Sequence, residues 1–207
     1  MKRGVIQSPL YKIGQVQAMG HDRKIHVIFS LVFPLFLLLL SYLLVVAFYP
    51  LTSEQQTVFQ FLDGKKELAI NYTTAEISHL QDVAVVMNNV NIAFYVLAIM
   101  VGGILVYSWK RRDLLQSMLR YGGLATISLL CFLLLLLVID FNWLFTLFHQ
   151  LFFPQGNWQF AAGSLLIQTF PLGFFVSMGV FIFGLTFLVG VSLLVVSILI
   201  KHKYSKS

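Results

Sequence analysis

The chain has 207 residues, of which 58% are hydrophobic and only 11% are charged, and its mean hydropathy is +0.85. Soluble domains carry about 25% charged residues, so this composition excludes a single soluble core and indicates an integral membrane protein. The net charge of +6 does not indicate a nucleic-acid-binding protein, because the basic residues are not gathered on one soluble face.

Four apolar segments are long enough to cross a bilayer as helices, which requires about 20 residues. They divide the chain into a tail at 1–26, a first span at 27–49, a first outer segment at 50–90, a second span at 91–109, a loop at 110–120, a third span at 121–139, a second outer segment at 140–171, a fourth span at 172–200 and a tail at 201–207. We predict an all-α integral membrane protein with four transmembrane helices. An extracytoplasmic cap is expected from the segments between helices 1 and 2 and between helices 3 and 4. The first span is expected to remain as an uncleaved anchor, since no small-residue cleavage site follows it.

The distribution of basic residues predicts the orientation of these spans. Every Lys and Arg except Lys65 and Lys66 falls in the two tails or in the 110–120 loop. By the positive-inside rule, both termini and this loop are cytoplasmic, and both outer segments face outward. The only cysteine, Cys131, lies within the third span, which excludes a disulfide or a thiol nucleophile in the cap.

Glycines predict two further features of the helices. Gly4, Gly14 and Gly20 indicate that the 1–26 tail is loose rather than one long helix. The pairs Gly102-Gly103 and Gly122-Gly123 lie near the inner ends of the second and third spans. They would permit close helix packing or, equally well, mark loose helix ends.

The first outer segment carries local signals for two helices. Thr52-Ser53-Glu54 predicts a helix start and Asp63-Gly64 predicts a turn. Thr73 has Glu76 at capping-box distance, which predicts a second helix that leads into the second span.

The second outer segment is rich in aromatic residues, which favours a location in the membrane interface. His149 shares helical spacing with Phe145, Phe148 and Phe152, so the imidazole is expected on the same helix face as these rings. The segment Pro154-Gln155-Gly156-Asn157 predicts a turn.

Two histidines, His79 and His149, fall in the outer segments and are the candidate chemical groups. Glu76 and Asp82 are each three residues from His79, and a carboxylate beside an imidazole favours the protonated form that a general base takes up. His149 has no adjacent acid. A neutral His149 ring that donates one hydrogen bond would suit an oxyanion.

A purely structural role for both motifs stays open. Glu-x-x-His-x-x-Asp is common as a surface ion cluster, and a histidine among aromatics is common in packing. Glu-x-x-His is also half of a carboxylate-bridged di-metal pattern, but the second copy is missing, so we expect no metal and no cofactor. Motifs for nucleotide binding, serine hydrolysis or zinc proteolysis are absent from the sequence.

Four sequence motifs resemble the lipoprotein intramolecular transacylases (Lit), which are four-span bacterial membrane proteins with an extracellular cap. The motifs are EISHLQDV at 76–83, FHQLFF at 148–153, WQF at 158–160 and LIQTFPLGFF at 166–175. The resemblance implies a location in the bacterial cell membrane, with the active site at the extracellular face. It implies a diacylated lipoprotein as substrate, with membrane lipids around it. The sn-2 acyl chain of its diacylglyceryl group would move to the α-amine of the N-terminal cysteine, which leaves the lyso-form.

The resemblance also implies roles for particular residues. His79 and His149 would be catalytic, with Glu76, Asp82 and Trp158 in support. We expect His79 to take the amine proton and His149 to stabilise the oxyanion and protonate the leaving glycerol oxygen, although the reverse assignment stays open. Two other functions are also considered. One is a non-enzymatic accessory or transport subunit, which the scarcity of ionisable groups within the spans disfavours. The other is a phospholipase-like hydrolase that uses the same histidines on water.

Overall fold

The computed structural model describes residues 9–68 and 71–205, and over these residues the secondary structure is entirely helical. The helices are α1 (Pro9–Phe48), α2 (Ser53–Leu62), α3 (Thr74–Ser108), α4 (Arg112–Ile139), α5 (Phe141–Phe152), α6 (Leu165–Thr169) and α7 (Leu172–Ser205). Four stretches of them are long and apolar enough to cross a membrane: Asp22–Phe48, Thr74–Ser108, Arg112–Ile139 and Leu172–Ile200. The prediction of an all-α protein with four membrane helices is confirmed.

The four long helices form a bundle in which α4 packs against both α1 and α7, and α1 also packs against α3 and α7. Its buried core consists of Phe29, Phe33, Leu37, Val101, Leu114 and Met118. The rings of Phe29 and Phe33 stack with their centroids 4.6 Å apart. The apolar segments therefore bury a shared interior stripe, while most other apolar side chains face outward, as lipid requires.

The two glycine pairs behave differently in the bundle. A Cβ atom on Gly122 would lie 2.8 Å from the Phe29 ring, and one on Gly123 would lie 2.9 Å from the carbonyl oxygen of Gly190. Close packing through this pair is confirmed. Of the two alternatives, close packing is wrong for Gly102 and Gly103, because no described atom outside their own stretch of helix backbone lies within 4 Å of a Cβ placed there.

The prediction of a loose N-terminal tail is wrong for residues 9–26, whereas Gly4 lies outside the described residues. The α1 helix begins at Pro9 and continues through Gly14 and Gly20 into the first span. An isolated glycine costs a helix only about 1 kcal/mol relative to alanine, and proline suits the first helical position. An ion pair between Asp22 and Arg111 also ties this part of α1 to the loop between α3 and α4.

Both outer segments emerge at the same end of the bundle, because α1 and α4 end there and α3 and α7 begin there. The predicted helix start at Thr52 and the capping box between Thr73 and Glu76 are both confirmed. Gly64 and Gly156 adopt φ angles of +68° and +78°, which few other residues tolerate, in the two expected turns.

The two outer segments dock on each other and form one cap. Val58, Tyr72, Leu80 and Leu166 are buried together between them. The Gln55 amide nitrogen donates to the carbonyl oxygen of Thr169 at 2.9 Å, and the Tyr72 hydroxyl donates to the Thr169 hydroxyl at 2.9 Å. This docking brings the two histidine motifs to one place.

Candidate active site

The Glu76 side chain joins the two cap segments through hydrogen bonds. It is 2% exposed. Its carboxylate accepts hydrogen bonds from the Thr73 amide, the Thr73 hydroxyl and the Leu166 amide, each at 2.8 Å. Burial opposes ionisation, but these hydrogen bonds outweigh it, so the pKa of Glu76 lies below its ordinary value. The expectation that Glu76 lies against His79 is wrong, because both carboxylate oxygens are occupied by α6 and the start of α3.

His79 lies on the first turns of α3, which pack in the cap before the apolar part of that helix begins. Its half-buried ring contacts Phe153, with centroids 4.8 Å apart, and Phe160, at 5.6 Å. The Nδ1 atom of the ring is buried and has no hydrogen-bond partner among the described residues. The ring is therefore held mainly by aromatic packing.

Asp82 lies one turn further along α3 and is bound by two amides of the second outer segment. Its Oδ2 atom accepts from Gln155 Nε2 and from Asn157 Nδ2, each at 2.6 Å. Asn157 also donates to the Ser78 hydroxyl at 3.3 Å. Asp82 thus favours the charged form of His79 through space, without the direct contact that the sequence suggested.

His149 lies in the last turn of α5. Its Nδ1 atom is 2.8 Å from the carbonyl oxygen of Phe145. A carbonyl oxygen can only accept a hydrogen bond, so Nδ1 carries the hydrogen. In the neutral ring, Nε2 then carries a lone pair and can only accept. This corrects the expectation of a neutral His149 that donates to an oxyanion, because Nε2 can donate only after the ring has been protonated.

Aromatic rings enclose both histidines. The His149 ring lies 4.0 Å from the Phe145 ring and 4.7 Å from Trp158, measured between centroids. The same Phe153 ring that contacts His79 lies 5.7 Å from His149, so one phenyl group lies against both imidazoles. A shallow cavity borders this site, and it is lined by Gln150, Phe153, Pro154, Gly156, Trp158 and Gln159.

Both imidazoles favour the neutral state. Burial lowers the pKa of His149, although its hydrogen bond to Phe145 opposes this. The pKa of His79 is lowered by burial and then by repulsion from His149, while Asp82 and Asn157 act in the opposite direction. Two imidazolium rings repel each other, so the second ring to gain a proton bears this cost. At neutral pH the site therefore presents two unprotonated rings.

The described residues offer little for a metal ion. Over residues 9–68 and 71–205, no group of three or more His, Cys, Asp or Glu side chains is arranged to hold one.

The family model described as "Lipoprotein intramolecular transacylase Lit" matches residues 49–175, which include the whole cap. The chain belongs to the Lit family. Its members are lipoprotein transacylases, which are membrane acyltransferases.

Similar proteins occur among curated proteins and among solved structures. An uncharacterized protein of Aquifex aeolicus is 30% identical over 131 residues, which cover 63% of this chain and 58% of that protein. The match therefore spans less than two thirds of that relative's length. Structures of Bacillus cereus Lit are 18–19% identical and show the same fold. A histidine-to-arginine variant has a TM-score of 0.79 over 94% of this chain and 99% of that chain. A histidine-to-alanine variant has a TM-score of 0.78 over 93% of this chain and 100% of that chain.

The sequence motifs do not show which residues of this site contact each other. They include Phe153 and Phe160 but do not show that both rings pack on His79, and they leave out Gln155 and Asn157, which bind Asp82. The one available signal was that Gln155 and Asn157 are polar residues in an otherwise aromatic segment. A turn accounts for both of them equally well, so that signal was weak.

Proposed function

We propose that this chain transfers an acyl group within a diacylated lipoprotein, from the sn-2 position of its diacylglyceryl group to the α-amine of its N-terminal cysteine. The reaction class follows from family membership. The observation that supports His79 and His149 as its catalytic residues is their convergence on Phe153 from two cap segments. Burial lowers the pKa of both rings, which favours their neutral form.

The substrate amine has two protons to lose, and two neutral histidines can receive them. An α-amine has a pKa of about 8, so it arrives mainly as an ammonium ion. His149 accepts the first proton at Nε2, and the free amine then attacks the ester carbonyl. His79 accepts the second proton from the nitrogen as the carbon–nitrogen bond forms.

The charged His149 completes the transfer. As an imidazolium it has an Nε2 hydrogen that stabilises the oxyanion of the tetrahedral intermediate. It then gives this proton to the glycerol oxygen as the carbon–oxygen bond breaks. His79 releases its proton to solvent, so the products are an amide, a glycerol hydroxyl and one proton.

The aromatic walls supply positioning. The amine and the ester carbonyl are joined by a flexible thioether and glycerol linkage, so the attack closes a medium-sized ring that forms poorly in solution. Holding the two ends together can contribute roughly 7–11 kcal/mol to lowering the barrier. The rings of Phe145, Phe153 and Trp158 next to the histidines also limit access of water, which would otherwise hydrolyse the ester.

The protein is a multi-pass membrane protein, and we propose that its cap lies on the extracellular side of the bacterial cell membrane with both termini in the cytoplasm. The distribution of Lys and Arg supports this orientation. Ester, amine and histidines would then meet at the outer leaflet.

Mass spectrometry of a lipoprotein N-terminal peptide tests the proposed function. Expression of the chain should leave the peptide mass unchanged and move one acyl chain from glycerol to nitrogen in the fragment spectrum. His79→Ala and His149→Ala should each abolish this change, whereas His202→Ala, an exposed histidine near the end of α7, should not. Loss of one acyl chain with release of free fatty acid would indicate a hydrolase instead. An unchanged fragment spectrum would contradict any acyl-transfer function.

A further inference from the structure

Two buried polar atoms of the site have no hydrogen-bond partner among the described residues, and they belong to neighbouring side chains. One is Nδ1 of His79 and the other is Oδ1 of Asn157. Buried polar atoms are rarely left unpaired, so each such atom requires an explanation. The Asn157 side chain lies beside the His79 ring and acts to raise its pKa.

The orientation of the Asn157 amide is fixed by its other contacts. Its Nδ2 group donates to Asp82 Oδ2 at 2.6 Å and to the Ser78 hydroxyl at 3.3 Å. A carboxylate only accepts hydrogen bonds, so the NH₂ group must face Asp82. The carbonyl oxygen, Oδ1, is then the free end of the amide, and it can only accept.

We propose that Asn157 is a positioning residue whose Oδ1 accepts the Nδ1 hydrogen of His79. This bond would fix the tautomer of the neutral ring with its lone pair on Nε2, where a substrate proton can be received. It would also connect the ring to the Asp82 carboxylate through one amide. The inference rests on the proposed function, because it assigns the supporting group of the general base.

An amide between the acid and the imidazole has a chemical consequence. A carboxylate bound directly to His79 would raise the pKa of the ring further than an amide does, so the ring would stay protonated up to a higher pH. The Asn157 amide orients the ring and stabilises its charged form only partly. The second cap segment thereby controls the basicity of a histidine on the first segment.

Nitrogen NMR of the wild-type protein tests the tautomer without any change to the site. The chain is labelled with ¹⁵N-histidine in detergent micelles, and the His79 signals are identified by their loss in His79→Gln. Above the pKa of the ring, the expected state is a protonated Nδ1 and an unprotonated Nε2. A neutral His79 with its hydrogen on Nε2 would overturn the proposal.

Two substitutions test the effect on the base. The charged and titratable groups that act on the His79 ring are Asp82, on its own helix, and His149, on α5. In Asn157→Ala, kcat should fall roughly 10-fold or more at neutral pH with KM little changed, and the acid limb of the kcat profile should move to lower pH. In Asn157→Asp, the new carboxylate should move the acid limb to higher pH.

The opposite shifts of the acid limb in the two variants distinguish a positioning role of Asn157 from a structural role. If Asn157 only holds the turn together, both variants lose folded protein and the acid limb stays in place, which would refute the proposal. Asn89→Ala, an exposed asparagine on α3, is the matched control and should leave the profile unchanged. A wild-type chain that transfers no acyl group would refute the proposed function itself. If the wild type transfers the acyl group but the acid limb of the kcat profile stays in place in both variants, only the role of Asn157 is refuted.

Discussion

The buried carboxylate of Glu76 offers a sharp test of how the cap is held together. Glu76→Gln keeps the size of the side chain and replaces one carboxylate oxygen with an NH₂ group. One oxygen of Glu76 accepts from the Leu166 amide and the other accepts from Thr73. The substitution therefore leaves one of these donors facing another donor.

The expected loss can be worked out from these bonds. Hydrogen bonds to charged groups contribute about 1.5–3 kcal/mol each, and a bond that becomes neutral loses about half of its strength. The neutral amide is easier to bury than the carboxylate, which offsets part of the loss. We expect Glu76→Gln to weaken the attachment of α6 to the start of α3 by about 2 kcal/mol, which is about 30-fold in a local opening equilibrium.

Amide hydrogen exchange in detergent micelles, resolved for the peptide that contains Leu166, measures this opening directly. The peptide should exchange about 30-fold faster in Glu76→Gln than in wild type. Glu54→Gln, an exposed glutamate in the first turn of α2, should leave it unchanged. Protection equal to wild type in the Glu76 variant would refute the role of this carboxylate in joining the cap.

The pH dependence of the same opening has a definite sign. The folded pKa of Glu76 lies below its ordinary value, so its contribution to stability is fully present above the unfolded pKa of about 4.3. This contribution is lost as pH falls through the lower, folded pKa. After correction for intrinsic exchange rates, wild type should lose protection in that acid range. The Gln variant should show no corresponding loss.

Three further outcomes are expected. Gly123→Val should lower the thermal midpoint in detergent, because its Cβ would meet the Gly190 carbonyl at 2.9 Å and overpacking costs about 1–3 kcal/mol; Gly103→Val, with open space around it, should have a smaller effect. The orientation can be tested with a membrane-impermeant maleimide in a Cys131→Ser background. The reagent should modify Lys66→Cys on intact cells but Lys110→Cys only after permeabilisation. The reverse pattern would contradict the proposed orientation. The rate of acyl transfer should fall as pH drops through the lowered pKa values of the two site histidines, below about 6.5; a fall that begins well above that pH would argue against two neutral bases.

The fold could be predicted from the sequence because its determinants are local. Apolar length alone identified the four membrane helices, and the spacing of Thr73 and Glu76 identified the start of α3. The prediction of a loose N-terminal tail was wrong because the low helix propensity of glycine is a weak local preference. The rest of α1 overrides it. Gly122-Gly123 and Gly102-Gly103 could not be distinguished, because only the helix opposite each pair decides whether a Cβ fits.

The site could be predicted only as a meeting of two histidines. Charge topology and family resemblance predicted that His79 and His149 lie on one side of the membrane. The capping box predicted the contact between Glu76 and Thr73. The donor from Leu166 to Glu76 and the donor from Asn157 to Asp82 were not predictable, because they come from the second outer segment, 90 and 75 residues away along the chain. A carboxylate on a helix face reaches whichever donor the docking of the segments supplies. Spacing on one helix cannot reveal that choice.

The two histidines differ in a way that fits two different steps of the proposed mechanism. His149 is anchored by a backbone carbonyl, which fixes its orientation without adding a negative charge. It can therefore hold a proton briefly and give it to the glycerol oxygen. His79 has Asp82 beyond the Asn157 amide, and this arrangement supports a positive ring while the oxyanion exists. A direct acid partner on either ring would raise the pKa of that ring and slow the release of its proton. The indirect contacts seen within the described cap therefore fit rings that accept a proton and release it again.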